Sequence, residues 1–118
     1  MTKTFVKQAD AKDLREHGRI ILAWGEVTHH HHQVFADAET DTLPDAEYFE
    51  EPSGRRVLLA LRPCVLRHQE HGPIALDPEN PIQARQGDVL LTPIGQGAWE
   101  VTRQREYVAA DLNRSVAD

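Results

Sequence analysis

His29, His30, His31 and His32 stand consecutively in this chain, and His68 and His71 follow later, so six of the seven histidines fall in two short windows. Imidazole is the commonest protein ligand for transition metals, and a fold that brings two such windows together builds a mononuclear site. The chemistry at stake is that of one divalent transition metal. Such an ion polarises a carbonyl or phosphoryl oxygen, activates water or dioxygen, or ties the fold together.

Side chains alternate faces along a strand, so positions of equal parity share a side. If the run from Ile20 continues as strand, Ile20, Leu22, Trp24, His30 and His32 point one way, toward a core, and His29 and His31 point out. Gly25 is a plausible bulge within that run. On a later strand Cys64, Leu66 and His68 share a face. The turn signal Gly72-Pro73 can swing His71 back toward it. The expected ligand set is His30, His32, His68 and His71, with Glu70 as a reserve ligand or as a partner orienting an imidazole. These donors suit Zn, Fe, Ni, Mn or Cu, and the residue types do not choose among them. No HExxH pattern is present, and His68-x-Glu70-His71 is one residue short of the inverted zincin signature, which excludes a helical zinc protease. The alternatives are a hydrogen-bonded histidine cluster without metal and a neutral histidine run.

The elements that must position these groups read as strands. Arg19 to Val27, Gln33 to Ala36, Glu47 to Glu50, Arg55 to Leu61, Cys64 to His68, Ile74 to Leu76, Asp88 to Thr92 and Ala98 to Val108 are short β-branched, aromatic or alternating runs. Turn-prone groups such as Glu51-Pro52-Ser53-Gly54 and Gly95-Gln96-Gly97 separate them. One short N-terminal helix is expected, with Asp10 or Asp13 capping Leu14 to His17 and Gly18 as its stop. The fold class is all-β, a small barrel or sandwich of about eight antiparallel strands. Ala36 to Ala46 is acidic and reads as an exposed loop or a flap beside the first histidines. In the last run Trp99, Val101, Arg103, Arg105 and Tyr107 share a face. Arg105 and Tyr107 there could hold an anionic substrate or move a proton, as Glu70 could, with cross-strand ion pairing as the plain alternative.

The length of 118 residues makes one domain, able to bury roughly two thirds of the surface of its unfolded chain. A single cysteine, Cys64, excludes an internal disulfide and a Cys-rich zinc module. Thirteen basic against nineteen acidic side chains give a net charge of −6, which opposes attraction to phosphate backbones or anionic lipid. The expectation is therefore no nucleic acid and no membrane. The start carries no apolar signal stretch, which points to a cytoplasmic protein. Exposed edge strands would permit a homodimer.

Gly87-Asp88-Val89-Leu90-Leu91-Thr92-Pro93-Ile94-Gly95-Gln96-Gly97-Ala98 resembles the second motif of the cupin superfamily, with Ala98 where that family places a metal-binding histidine. Gly25, His30, His32 and Asp37 loosely echo its first motif. That resemblance implies a cupin-like barrel, and a fourth ligand would come from His68 or His71. A closer similarity is to small uncharacterised bacterial and phage-encoded proteins. It is carried by Gly25-Glu26-Val27-Thr28-His29-His30-His31-His32, by His68-Gln69-Glu70-His71-Gly72-Pro73-Ile74 and by Gln104-Arg105-Glu106-Tyr107. It implies that His30 and His32 are the meaningful members of the histidine run, and it brings no activity with it. Arg85 to Leu91 matches a segment that opens those proteins, so here it is a relocated strand or an added hairpin.

Two functions fit these features. One is a small metal-dependent enzyme acting on a polar small molecule. The other is a non-catalytic, metal-stabilised interaction or accessory protein, phage-related by that resemblance. A plain ligand-binding β domain without metal is the third.

Overall fold

The computed structural model describes residues 4–24 and 30–103. Ten strands follow in chain order: β1 (Lys12–Asp13), β2 (Ile20–Trp24), β3 (His31–Phe35), β4 (Ala46–Glu50), β5 (Arg56–Ala60), β6 (Cys64–Arg67), β7 (Ile74–Leu76), β8 (Ala84–Gln86), β9 (Val89–Gly95) and β10 (Ala98–Arg103). They form a six-stranded sheet ordered β1-β4-β5-β10-β9-β8 and a four-stranded sheet ordered β2-β3-β6-β7. All pairings are antiparallel. The two sheets do not close into a barrel. The sandwich alternative holds, and the closed barrel that a cupin resemblance implies is not formed.

The core lies between the sheets. Ile20, Leu22, Val34, Leu66 and Leu76 from the smaller sheet meet Tyr48, Leu58, Val89, Leu91, Trp99 and Val101 from the larger one. Interdigitation of two inner faces is how a sandwich removes apolar surface from water, at about 25 cal/mol per Å². Trp99 is fully buried and donates its indole N–H to the Ile82 carbonyl at 3.0 Å, so its one polar atom is satisfied. A second cluster, Phe49, Val57 and Ala98, lies apart from this core and is covered by the N-terminal Phe5 and Ala11.

The expected N-terminal helix is replaced by a hairpin. Lys12 and Asp13 pair with Glu50 and Phe49, and the Leu14 amide donates to the Tyr48 carbonyl. Glu16 bridges Arg19 around His17 and Gly18, whose φ angles are 56° and 83°. Two consecutive left-handed residues make a type I′ turn, which matches the strand twist. Gly18 signals a helix stop in the sequence because the same left-handed preference serves both structures.

Each of the eight expected strands has a counterpart. The additions are β1 and β8, and β8 with β9 makes Arg85 to Leu91 an added hairpin. Gly87, at φ 60°, takes the first corner of its two-residue turn, as in a II′ hairpin.

Candidate metal centre

The centre is built at one end of the sandwich, where β3 and the loop after β6 face the β8–β9 turn. His32 lies on β3, opposite Ala23 in the register with β2, and shares its face with the core residue Val34. The register of β2 shifts between Ile21 and Ala23, so Leu22 is the extra residue of a bulge. That bulge lies upstream of the expected Gly25, and it corrects the parity of Trp24. Trp24 pairs with His31 on the outer face, is 53% exposed and packs on that ring at 4.9 Å between centroids. His32 points inward as expected, but through its place in β3, which pairs antiparallel with β2 instead of continuing it. Of the outward pair, His31 is half-buried on the outer face, and His29 lies outside the described residues.

The four expected ligands come together. Ring centroids are 4.3 Å apart for His32 and His68, 4.6 Å for His68 and His71, 5.6 Å for His30 and His68, and 6.1 Å for His32 and His71. Imidazoles sharing one ion at about 2.0–2.1 Å bring ring centres to about 5 Å from one another. Among the described residues, no three His, Cys, Asp or Glu side chains are placed so that together they could hold a metal ion. The rings of His32 and His71 stack, within 13° of parallel.

The best-defined ring is His32, and residues that the spacing of histidines did not reveal define it. Gln86 Nε2 donates to the Leu66 carbonyl at 3.0 Å and to the Gly72 carbonyl at 2.9 Å. Both amide protons are thereby used, so Gln86 Oε1 is the acceptor facing His32 Nδ1 at 2.9 Å. His32 therefore carries its proton on Nδ1 and its lone pair on Nε2, the tautomer that ligates through Nε2. Burial, the largest influence, lowers the His32 pKa, with Asp88 and the Gln86 hydrogen bond acting the other way, so the neutral ring is favoured.

His32 Nε2 and Asp88 Oδ1 face each other at 3.6 Å, both buried and neither hydrogen-bonded. Two acceptors in low dielectric repel unless something positive lies between them. Arg103 holds the other oxygen of Asp88, with Nε at 2.9 Å and Nη2 closer still.

His68 departs from the expected role. Its Nδ1 accepts the Glu70 amide at 3.0 Å, which places the proton of the neutral ring on Nε2. In that tautomer Nε2 donates rather than ligates. Glu70 is largely exposed, with Oε2 at 3.8 Å from His30 Nε2, beyond hydrogen-bond distance. Arg105 and Tyr107 lie outside the described residues. Cys64 is buried in the core, where loss of solvation pushes its thiol up to about 12, so it supplies no thiolate.

The spacing of the histidines does not point to Gln86, Asp88 and Arg103, because Gln86 and Asp88 meet His32 across the sheets and Arg103 acts through Asp88. The signal available was Gly87-Asp88 between two strand-like runs, a hairpin turn with polar residues on both sides.

A family model described as Domain of unknown function (DUF8820) matches residues 3–78. That span holds all four clustered histidines and ends before Gln86, Asp88 and Arg103. No curated protein and no solved structure matches the chain.

Proposed function

We propose, from the premise that this chain belongs to the DUF8820 domain family, that it binds one divalent transition metal between His32 and Asp88 and acts on a polar small molecule there. The observation that carries this reading is the 3.6 Å separation of His32 Nε2 and Asp88 Oδ1. A charge-assisted hydrogen bond would draw the two atoms to about 2.7–2.9 Å. Two ligands held at about 2.1 Å by a tetrahedral ion lie about 3.4 Å apart. The spacing therefore suits a shared cation better than a shared proton.

His71 and His30 are the neighbouring imidazoles that would complete the set. His68 would join it after giving up the Glu70 amide, or would remain a donor beside it. An N/O set of this kind suits Zn, Fe, Ni, Mn or Cu. A bound ion would supply Lewis acidity toward a substrate oxygen. The chain's own part is to fix the His32 tautomer through Gln86, to hold Asp88 through Arg103, and to offer Glu70 at the exposed side as a proton carrier.

A second reading, a metal-stabilised accessory protein, is favoured by one observation. Gln86 belongs to the six-stranded sheet, yet it bonds Leu66 on the four-stranded one, so an ion at this point would also clamp the sheets together.

The test is elemental analysis of tagless protein purified without nickel resin, beside His32→Ala and Asp88→Asn variants. About one ion per chain, absent from His32→Ala and bound at least tenfold more weakly by Asp88→Asn, is the expected result. Wild type that holds no ion and cannot be reloaded with Zn, Fe, Ni, Mn or Cu overturns the proposal. Thermal unfolding with and without chelator then separates the two readings. A large fall in Tm assigns a structural ion, and a small one assigns a working site.

A further inference from the structure

Between β2 of the smaller sheet and β4, β5 and β10 of the larger lies a mouth that no clustered histidine lines. One cavity of about 370 Å³ is lined by Leu14, Glu16, Trp24 and Ala23, among others. A second of about 240 Å³ reaches Glu100 and Thr102. The two share Leu22, Tyr48, Arg56 and Arg103, so they adjoin across these side chains.

Tyr48 is the informative residue. It is 2% exposed, and its hydroxyl is buried without a hydrogen-bond partner, although the side chain lines both cavities. A buried hydroxyl with no partner is costly, so a ligand that accepts its proton in a hydrogen bond would gain there. Burial pushes its pKa up, while the neighbouring Arg56 acts in the opposite direction without reaching hydrogen-bond geometry. The phenol therefore stays protonated and able to donate.

The charges around it are uneven. Arg103 is tied to Asp88 on one side and lines the mouth on the other. Arg55 is paired with Glu51. Arg56 makes no ion pair among the described residues, and its guanidinium stands at the mouth beside Tyr48. Glu16 and Glu100 lie in the walls of the two cavities and disfavour a second negative group on the ligand. Leu14, Leu22 and Ala23 supply apolar walls, and the exposed Trp24 stands among them.

We infer that this mouth binds a small organic monoanion, its oxyanion held by Arg56, Arg103 and the Tyr48 hydroxyl and its apolar body against Leu22 and Trp24. Planar guanidinium suits either carboxylate or phosphate oxygen, and a phenol O–H adds the third donor. The inference goes beyond the metal reading, because neither Tyr48 nor Arg56 belongs to the metal set.

The test is isothermal titration calorimetry of the full chain with phenylacetate, the monoanionic diester methyl phenyl phosphate and, as a neutral control, benzyl alcohol, each with and without EDTA. At least one anion binds, benzyl alcohol does not, and EDTA leaves the affinity unchanged. Arg56→Gln then weakens binding at least tenfold and Tyr48→Phe several-fold, with circular dichroism confirming that both variants fold. The preferred anion identifies the oxyanion as carboxylate or phosphate. Absence of heat with both anions, or equal affinity in Arg56→Gln, overturns the inference. Binding that vanishes only with EDTA also overturns it, by returning the ligand to the metal.

Discussion

Gln86 Oε1 lies 2.9 Å from His32 Nδ1, and this single contact joins the edge strand of the larger sheet to the most buried histidine of the smaller one. Because the Gln86 amide protons are committed to the carbonyls of Leu66 and Gly72, the contact also decides which nitrogen of His32 is protonated. The residue that orients the ring thus fixes the loop that carries His71.

Replacing Gln86 by Leu removes all three bonds and keeps similar bulk. The His32 N–H is left without a partner and the Leu66 and Gly72 carbonyls lose the donor that ties them to the larger sheet, and a lost buried partner costs about 1–3 kcal/mol. We expect a destabilisation of about 3 kcal/mol in urea unfolding. Metal affinity should also fall about 10- to 100-fold, the usual consequence of losing the partner that orients a ligating imidazole. A variant as stable as wild type would show that Gln86 is not the tie between the sheets.

Much of this arrangement was legible in the sequence. His32 faces inward as expected, although the premise of one strand running from Ile20 through the histidines gives way to two antiparallel strands, β2 and β3. Trp24 does not, since the bulge at Leu22 shifts the register by one residue and turns everything beyond it over. Gly18 is ambiguous in the sequence because a left-handed residue ends a helix and turns a hairpin equally well. Asp88 and Gln86 were out of reach for a different reason. Their partners lie across the sandwich, and the pairing of two sheets is set by the whole core rather than by any spacing along the chain.

The acidic stretch after β3, read as a loop or flap, is organised by Asp37. Its Oδ1 accepts the Glu39 amide at 2.8 Å and the Thr40 amide at 2.7 Å, and its Oδ2 accepts the Thr40 hydroxyl. These donors, led by the Thr40 amide, hold the Asp37 pKa below its ordinary 3.8. A lowered carboxylate pKa contributes order that is complete above 3.8 and is lost as pH falls through the folded value. Amide exchange at Glu39 and Thr40 should therefore be slow at neutral pH and accelerate only below 3.8 once corrected for intrinsic rate. In Asp37→Ala it should be fast throughout. Identical protection in the variant would mean that the turn is held by something else.

Cys64 gives a chemical probe of the core. Its side chain is 2% exposed, and burial raises its thiol to about 12, so almost no thiolate exists at pH 8. Native protein should resist a disulfide reagent such as DTNB over hours, with one thiol per chain reacting promptly in denaturant. Prompt labelling of the native protein would place Cys64 at the surface and contradict the packing of β6 against the larger sheet.

Gly97 and Gly54 make a matched pair for the β9–β10 turn. Both have positive φ, 75° and 94°, and an L side chain in that region costs about 1–2 kcal/mol. They differ in surroundings. A Cβ on Gly97 would stand 3.0 Å from the Ala60 carbonyl oxygen, whereas one on Gly54 would meet nothing within 4 Å. The backbone there has little room to yield, because the Gly97 carbonyl accepts the Ala60 amide at 2.8 Å. Gly54→Ala should therefore cost only the conformational term, about 1 kcal/mol. Gly97→Ala should cost at least about 2 kcal/mol, since steric displacement of a strand bond adds to the same term. Urea denaturation of the two variants reads the difference directly. Equal losses would mean that the close approach of the β9–β10 turn to β5 contributes nothing to the register in which β10 presents Arg103 to Asp88.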